Sequence, residues 1–271
     1  MPVLVTVIVT TKNEEKNIVD CYKAVHAQTI QRDKLEIVLI DNNSSDRTVE
    51  LSKPYVDEIY NVGPERSAQR NYGFEHAKAD FVLYLDADMR LEPTAIEECL
   101  SAVNDSPGII GIYIPEKVVG TGFWIKVRNF ERSFYDATCV DAARFIKKDI
   151  FLEIGGFDTS MSGPEDWDLD RRLLEKGKLA LIRTHLNHDE GAFSFKTYFG
   201  KKKYYAKSFA AYAKKWNNDE TVRKQLGFYY RFIGVFIENG KWKKLFCHPF
   251  LTFGMYFLRF LVGVTFLKSK L

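Results

Sequence analysis

Phe81-Val82-Leu83-Tyr84-Leu85-Asp86-Ala87-Asp88 is a run of β-formers that ends in two acids separated by one residue. Side chains alternate faces along a strand, so Asp86 and Asp88 project the same way at its end. Two adjacent carboxylates repel and stay ionised cheaply only with a cation between them. Hard oxygen donors of this kind suit Mg²⁺ or Mn²⁺, ions that usually arrive bridged to a substrate phosphate. Taken alone, an Asp-x-Asp at a strand end is more often a turn with solvated acids. The surrounding chain decides between the two.

Upstream, Val3 to Val9 is continuous and β-branched, which predicts a strand buried on both faces and therefore parallel. Thr10-Thr11-Lys12-Asn13-Glu14-Glu15 then turns into a helix with Ile18, Cys21, Tyr22 and Val25 at helical spacing. Leu35 to Ile40 predicts a second buried strand, closed by the polar loop Asp41 to Asp46. A helix from Thr48, a short strand over 58–62, and a helix over 65–77 carrying Arg66 and Arg70 lead into the Asp86 strand. Strands and helices in this alternation predict an α/β fold with a mostly parallel, doubly wound sheet flanked by helices. Ligands bind beyond the carboxyl ends of such strands. Thr10, Thr11, Asp41, Asp86 and Asp88 all fall at those ends.

Downstream, Pro93 is placed to open a helix. Residues 109–119 read as one strand, 123–135 as an aromatic helix and 144–146 as a short strand. Glu165 to Glu175 reads as a helix, and acids in its first turn are favoured by the helix dipole. Lys178 to Arg183 predicts the last strand, with His185 and His188 after it.

Together these residues resemble the family 2 glycosyltransferases, which have the GT-A fold. The resemblance rests on 7–14, then 40–46, then Arg70-Asn71-Tyr72-Gly73, Leu85-Asp86-Ala87-Asp88, Gly155-Gly156-Phe157-Asp158 and Glu165-Asp166, in the family's order over roughly residues 3 to 195. It implies an inverting transfer of a sugar from a nucleotide-diphosphate donor to a hydroxyl of a saccharide or lipid-linked acceptor, assisted by Mn²⁺ or Mg²⁺. By the same resemblance Thr10, Thr11, Glu14 and Asp41 hold base and ribose. Arg66 and Arg70 lie near the base or diphosphate. Asp86 contacts ribose or metal, Asp88 ligates the metal, His188 can complete its shell, and Asp166 is the catalytic base. Lys12 and Asn42 depart from the family's usual residues, so the donor base stays open between UDP and GDP. The chemistry is consistent with these roles. The departing diphosphate needs its charge neutralised, and the acceptor hydroxyl needs a base.

Two alternatives stay open. A polyprenyl-phosphate sugar synthase would share the Asp86-Ala87-Asp88 stretch but use a phosphate acceptor that needs no base. A non-catalytic nucleotide-sugar binding module would need none of Asp86, Asp88 and Asp166 intact. A nucleotidyltransferase is disfavoured, because no glycine-rich, basic N-terminal loop is present to grip a triphosphate.

The expected organisation is a GT-A domain over 1–195, with a nucleotide-binding half over 1–93 and an acceptor half over 94–195, followed by a helical membrane-association region over 196–271. The 271 residues are 46% hydrophobic, enough for a real core, and carry a net charge of +3. That sum hides an asymmetry: residues 196–271 hold 16 Lys and Arg against 3 Asp and Glu. Basic, aromatic tails of this kind meet nucleic acid or anionic membrane. No RNA motif accompanies this one, so nucleic acid is not expected as a partner.

Read as a helix, 196–216 places Lys201, Lys202, Lys203 and Lys207 beside Tyr204 and Tyr205, a combination suited to a lipid surface or lipid-linked acceptor. A helix over 249–267 would reach roughly 28 Å, but Arg259 near its middle favours a segment lying in the interface over one that spans. Lys243, Lys244, Lys268 and Lys270 bracket it. Four scattered cysteines with no CxxC fit a reducing compartment. Met1-Pro2 runs into a strand without a basic leader, so no secretory signal is expected. The expected location is the cytoplasmic face of a membrane, peripheral or monotopic.

Overall fold

The computed structural model describes residues 2–269, and side chains as far as Val264. Lys268 and Lys270 therefore lie outside the described residues as regards any role in anchoring. In chain order the first half runs β1 (Val5–Thr11), α1 (Ile18–His26), β2 (Leu35–Asp41), α2 (Thr48–Ser52), β3 (Glu58–Asn61), α3 (Arg66–His76) and β4 (Phe81–Asp86). It continues through β5 (Met89–Leu91), α4 (Ala95–Asp105), β6 (Ile109–Tyr113), β7 (Glu116–Thr121), α5 (Phe123–Arg132), β8 (Phe145–Lys147), α6 (Lys148–Glu153), α7 (Glu165–Leu174), β9 (Lys178–Leu181) and β10 (Leu186–Ala192). The C-terminal helices are α8 (Phe195–Ala206), α9 (Phe209–Lys215), α10 (Glu220–Leu226), α11 (Val235–Ile237), α12 (Trp242–Cys247) and α13 (Pro249–Ser269).

The main sheet has seven strands in the order β3-β2-β1-β4-β8-β6-β9. Its β1, β2, β3 and β4 are parallel, and β8 enters antiparallel between β4 and β6. Every residue of β1 and of β2 is buried, as their mostly apolar sequences require of strands covered on both faces, and the buried Glu36 accepts from Thr6 Oγ1 at 2.7 Å. α3 lies close against β1. A Cβ added at Gly73 would come within 2.6 Å of the Ile8 side chain, so the glycine sets the approach that brings Arg70 to the sheet's carboxyl edge.

A second sheet of three strands, β5-β10-β7, stands beside the first. The single strand expected over 109–119 is two strands in two sheets. Pro115 has no N–H to give to a ladder, and the chain changes sheets there. His188, expected after the last strand, lies inside β10. There it pairs with Met89 of β5 and Val118 of β7. The helix expected over 196–216 is also interrupted. Ser162 N–H donates to Ser208 Oγ at 3.0 Å, which holds the α8–α9 corner against the loop before α7.

The C-terminal helices share a core with α5. Val127, Phe130 and Phe134 pack with Tyr230, Val235, Phe236, Met255 and Leu258. Arg259 points into this core and pairs with Glu131 and the Tyr135 hydroxyl. The charge that counted against a spanning helix is thus neutralised inside the protein. No described helix is long and apolar enough to cross a membrane.

Candidate functional site

Arg70 is 1% exposed and is the centre of the site. Its Nη2 donates to Asp86 Oδ1 at 2.9 Å and its Nη1 to Asp166 Oδ1 at 3.1 Å. Its guanidinium lies 4.5 Å from the Tyr84 ring centroid and 5.2 Å from that of Phe157. The two motifs that supply these residues are clamped together. Asn71 Nδ2 donates to Phe157 O at 2.9 Å, and Phe157 N–H returns a bond to Asn71 Oδ1 at 2.8 Å. The Gly155-Gly156 turn is thereby fixed to α3, and α7 delivers Asp166 to Arg70.

Burial pushes the Asp86 carboxyl up, but the Arg70, Arg66 and Arg144 guanidiniums outweigh it and hold the group well below the usual carboxylate range. Thr10 Oγ1 donates to Asp86 Oδ1 at 3.3 Å. Arg66 Nη2 reaches Glu165 Oε1 at 3.2 Å. Burial, and then the neighbouring Asp166 charge, push the Glu165 carboxyl up.

Asp88 belongs to a second chain of contacts. The ladders of β5 and β7 on β10 bring His188 Nε2 to 3.1 Å from Asp88 Oδ2, with Nδ1 2.9 Å from Glu116 Oε1. Glu116 also meets Arg144 Nη2 at 3.4 Å and Arg132 Nε at 3.7 Å. Burial pushes Glu116 up, yet Arg132, His188 and Arg144 bring it well below the usual range. Burial pulls His188 down, but its bonds to Asp88 and Glu116 prevail and push it up to about 10. The two chains of contacts meet at Tyr84, whose ring lies 4.5 Å from Arg70 and 5.5 Å from Arg144.

Among the described residues, no group of three or more His, Cys, Asp or Glu is arranged to hold a metal unaided. Asp88 Oδ1 is nonetheless buried without a hydrogen-bond partner, and His188 is oriented on its far nitrogen by a carboxylate, as metal-ligating histidines are. This donor set fits an ion shared with a diphosphate and does not fit a closed protein site. Mg²⁺ in particular is commonly held by one or two carboxylates plus substrate phosphates.

The residues expected to hold the nucleoside lie at the edges of β1 and β2. Thr11 Oγ1, Ser44 N–H and Ser44 Oγ all donate to the Asp41 carboxylate, at 2.9, 2.8 and 2.6 Å. Thr11 and Asp41 therefore brace the Asn42–Ser45 loop. Glu14 is half-buried. Burial pushes its carboxyl up, as do the Asp88 and Asp86 charges, against the Asn17 amide.

α8 does not present one basic face. Lys201, Lys203, Tyr204 and Lys207 are exposed. Tyr204 donates to Glu65 Oε1 at 2.7 Å, and the Tyr205 ring lies 5.8 Å from the Arg66 guanidinium. Lys202 is turned inward, where burial and then Arg128 push it down to about 8. Arg128 and Glu131 already fill that interior with charge.

Glu116, Arg132, Arg144 and Gln69 were not anticipated. Gln69 Nε2 donates to Thr11 O at 3.0 Å and Ile40 O at 2.6 Å, tying the ends of β1 and β2. Glu116 carried a usable sign, an acid beside proline within an apolar run.

Residues 6–159 match the family described as "Glycosyl transferase family 2". An "Uncharacterized glycosyltransferase" of Haemophilus influenzae is 28% identical over 186 residues, 64% of this chain and 63% of that protein. An "Undecaprenyl-phosphate 4-deoxy-4-formamido-L-arabinose transferase" of Edwardsiella ictaluri is 29% identical over 116 residues, 40% of this chain and 36% of that protein. The matched stretch thus spans less than two thirds of either relative. Among solved structures, mannosyltransferase PcManGT from Pyrobaculum calidifontis, in complex with GDP-Man and Mn²⁺, superposes with a TM-score of 0.60. It is 19% identical, and the match covers 92% of this chain and 76% of that one. That likeness shows the GT-A architecture. By the match over more than half its length, the chain belongs to glycosyltransferase family 2.

Proposed function

We propose that this chain is a glycosyltransferase that moves a sugar, with inversion, from a UDP- or GDP-linked donor to a hydroxyl of a saccharide or lipid-linked acceptor. The observation that carries the reading is the single Arg70 guanidinium shared by Asp86, at the donor strand end, and Asp166, at the start of α7. A base for the acceptor and an anchor for the donor would thereby sit on either side of one guanidinium. Arg70 fixes the direction of the Asp166 carboxyl group, and Asp166 would take the acceptor's proton as the new bond forms, an effect on the order of 10²–10⁴-fold. Arg66 and Arg70 would lie along the donor diphosphate. Thr11 and Asp41 would hold the loop that faces the nucleoside, with Thr10 steadying Asp86 and Glu14 alongside.

A divalent ion, Mn²⁺ or Mg²⁺, held by Asp88 with Asp86 and His188 beside it, would offset the charge of the leaving diphosphate. GDP-Man and Mn²⁺ in the Pyrobaculum structure support this donor class and this ion.

A phosphate acceptor is the second reading. Arg144 Nη1 is buried without a partner beside Glu116, and an anion is the natural complement of a free guanidinium N–H. The undecaprenyl-phosphate acceptor in the name of the Edwardsiella relative points the same way. Either acceptor, if lipid-linked, would put the enzyme at the cytoplasmic face of a membrane, with 1–195 as the transferase domain and 196–271 as the attachment region. Lys201, Lys203, Tyr204 and Lys207 would then line the acceptor's approach, with Lys202 and Tyr205 supporting them from within.

The test is incubation with a panel of nucleotide sugars and Mn²⁺, followed by chromatography. Release of a nucleoside diphosphate from one donor is expected. No release from any donor, with or without acceptor extracts, would refute the reading.

A further inference from the structure

The outer face of the C-terminal helices carries an apolar pattern that the core does not use. On α13, Phe250 is 82% and Phe253 76% exposed, and Phe257 and Phe260 are exposed in line with them. Their spacing of three, four and three residues puts the rings on one face of the helix. Trp242 and Phe246 of α12 extend the exposed row. Together these six side chains offer on the order of 700 Å² of ring surface, larger than the apolar patches monomeric proteins usually leave to water.

The opposite face of α13 is fastened down. Met255, Leu258 and Arg259 are buried, and a Cβ at Gly254 would come within 2.8 Å of Val127. The helix is therefore held flat against α5 along one side and cannot leave it to span a bilayer without stranding the Arg259–Glu131 pair. With Arg259 turned inward, the outer face is apolar, while Lys243 is exposed and Lys244, also exposed, donates to Ser133 O at 3.1 Å. From Lys241 to Leu271 the sequence contains no Asp or Glu.

We propose that α12 and α13 form a docking face for an anionic lipid bilayer. They lie parallel to its surface with Trp242, Phe246, Phe250, Phe253, Phe257 and Phe260 at the boundary of headgroups and acyl chains. Aromatic rings favour that depth, and amphipathic helices with basic margins bind there by apolar burial plus attraction to anionic lipid. A second copy of this chain is the poorer occupant, because a two-fold pair would bring Lys243 and Lys244 against their own kind with no acid in the segment to answer them. Of the two surfaces the sequence suggested, 196–216 and 249–267, the docking face is the second, since α8 spends Lys202, Tyr204 and Tyr205 on contacts within the protein. The surface stands by itself. Its consequence, delivery of a lipid-linked acceptor beside α5, rests on the proposed function.

The test is co-sedimentation of the full chain with vesicles of phosphatidylcholine and phosphatidylglycerol in equal parts, and with phosphatidylcholine alone. Binding to the mixed vesicles is expected, weaker in high salt and weaker without phosphatidylglycerol. Phe250→Ser and Phe253→Ser are each expected to lower partitioning about tenfold, with the thermal melt unchanged. As a second readout, an environment-sensitive dye on exposed Cys247 should shift to the blue with mixed vesicles, a response lost in Cys247→Ser. Three results would overturn the proposal: wild type remaining in the supernatant, both Phe250→Ser and Phe253→Ser sedimenting like wild type, or a vesicle-independent dimer abolished by Phe250→Ser. Donor cleavage is assayed on the same samples, so failure of the transferase reading would show separately from failure of docking.

Discussion

Arg70 and Asp166 meet at 3.1 Å across 96 residues of sequence, and the same guanidinium holds Asp86 at 2.9 Å. One buried cation thus pairs with two acids, one at the end of β4 and one in the first turn of α7. Arg70→Met leaves both without it, and loss of one partner of a buried pair costs about 3–5 kcal/mol. A urea titration should show that loss. Arg70→Lys should recover part of the stability but little activity, because an ammonium cannot fork between two carboxylates.

Asp166→Asn preserves shape and removes the proton acceptor. With a hydroxyl acceptor, kcat should fall on the order of 10²–10⁴-fold while donor affinity changes little. With a phosphate acceptor the substitution should be nearly silent. Transfer assays with both acceptor classes decide between these readings. Arg144→Gln should weaken binding of the phosphate acceptor and spare that of the hydroxyl acceptor.

The C-terminal core has its own pH signature. Burial raises the Glu131 carboxyl, but Arg259 and Arg128 more than reverse this and bring it down to about 2, against 4.5 unperturbed. A carboxyl lowered on folding contributes stability above its unfolded value, and the contribution is lost as pH falls through its folded value. Glu131 should therefore add about 3 kcal/mol at neutral pH, lost progressively between about pH 4.5 and 2. Glu131→Gln should flatten that part of the acid-unfolding curve and lower the neutral-pH melting temperature.

The strands β1, β2 and β4 were legible because a strand buried on both faces must be apolar throughout, and their carboxyl ends located the acids. The roles of Glu116 and Arg144 were not legible. Glu116 gains its meaning from His188, 72 residues away, and no local pattern encodes that pairing. Asp41 was found as a site residue, but its three hydrogen bonds within the protein could not be read from its neighbours. Arg259 shows the same limit. Within its own helix it reads only as a charge that disfavours spanning, and only the return of α13 onto α5 supplies Glu131. The Lys201–Lys207 stretch was read from composition, which does not say which lysine faces inward.

The account's central claim is that the Asp86–Asp88 strand end binds a nucleotide sugar through a shared divalent ion. Isothermal titration of the donor identified by the panel, with Mn²⁺ and then with a chelator, tests it on wild type and Asp88→Asn. The account predicts Mn²⁺-dependent binding that Asp88→Asn weakens by about tenfold or more, with the fold intact by circular dichroism. Equal affinity in both proteins, undiminished by the chelator, would contradict it.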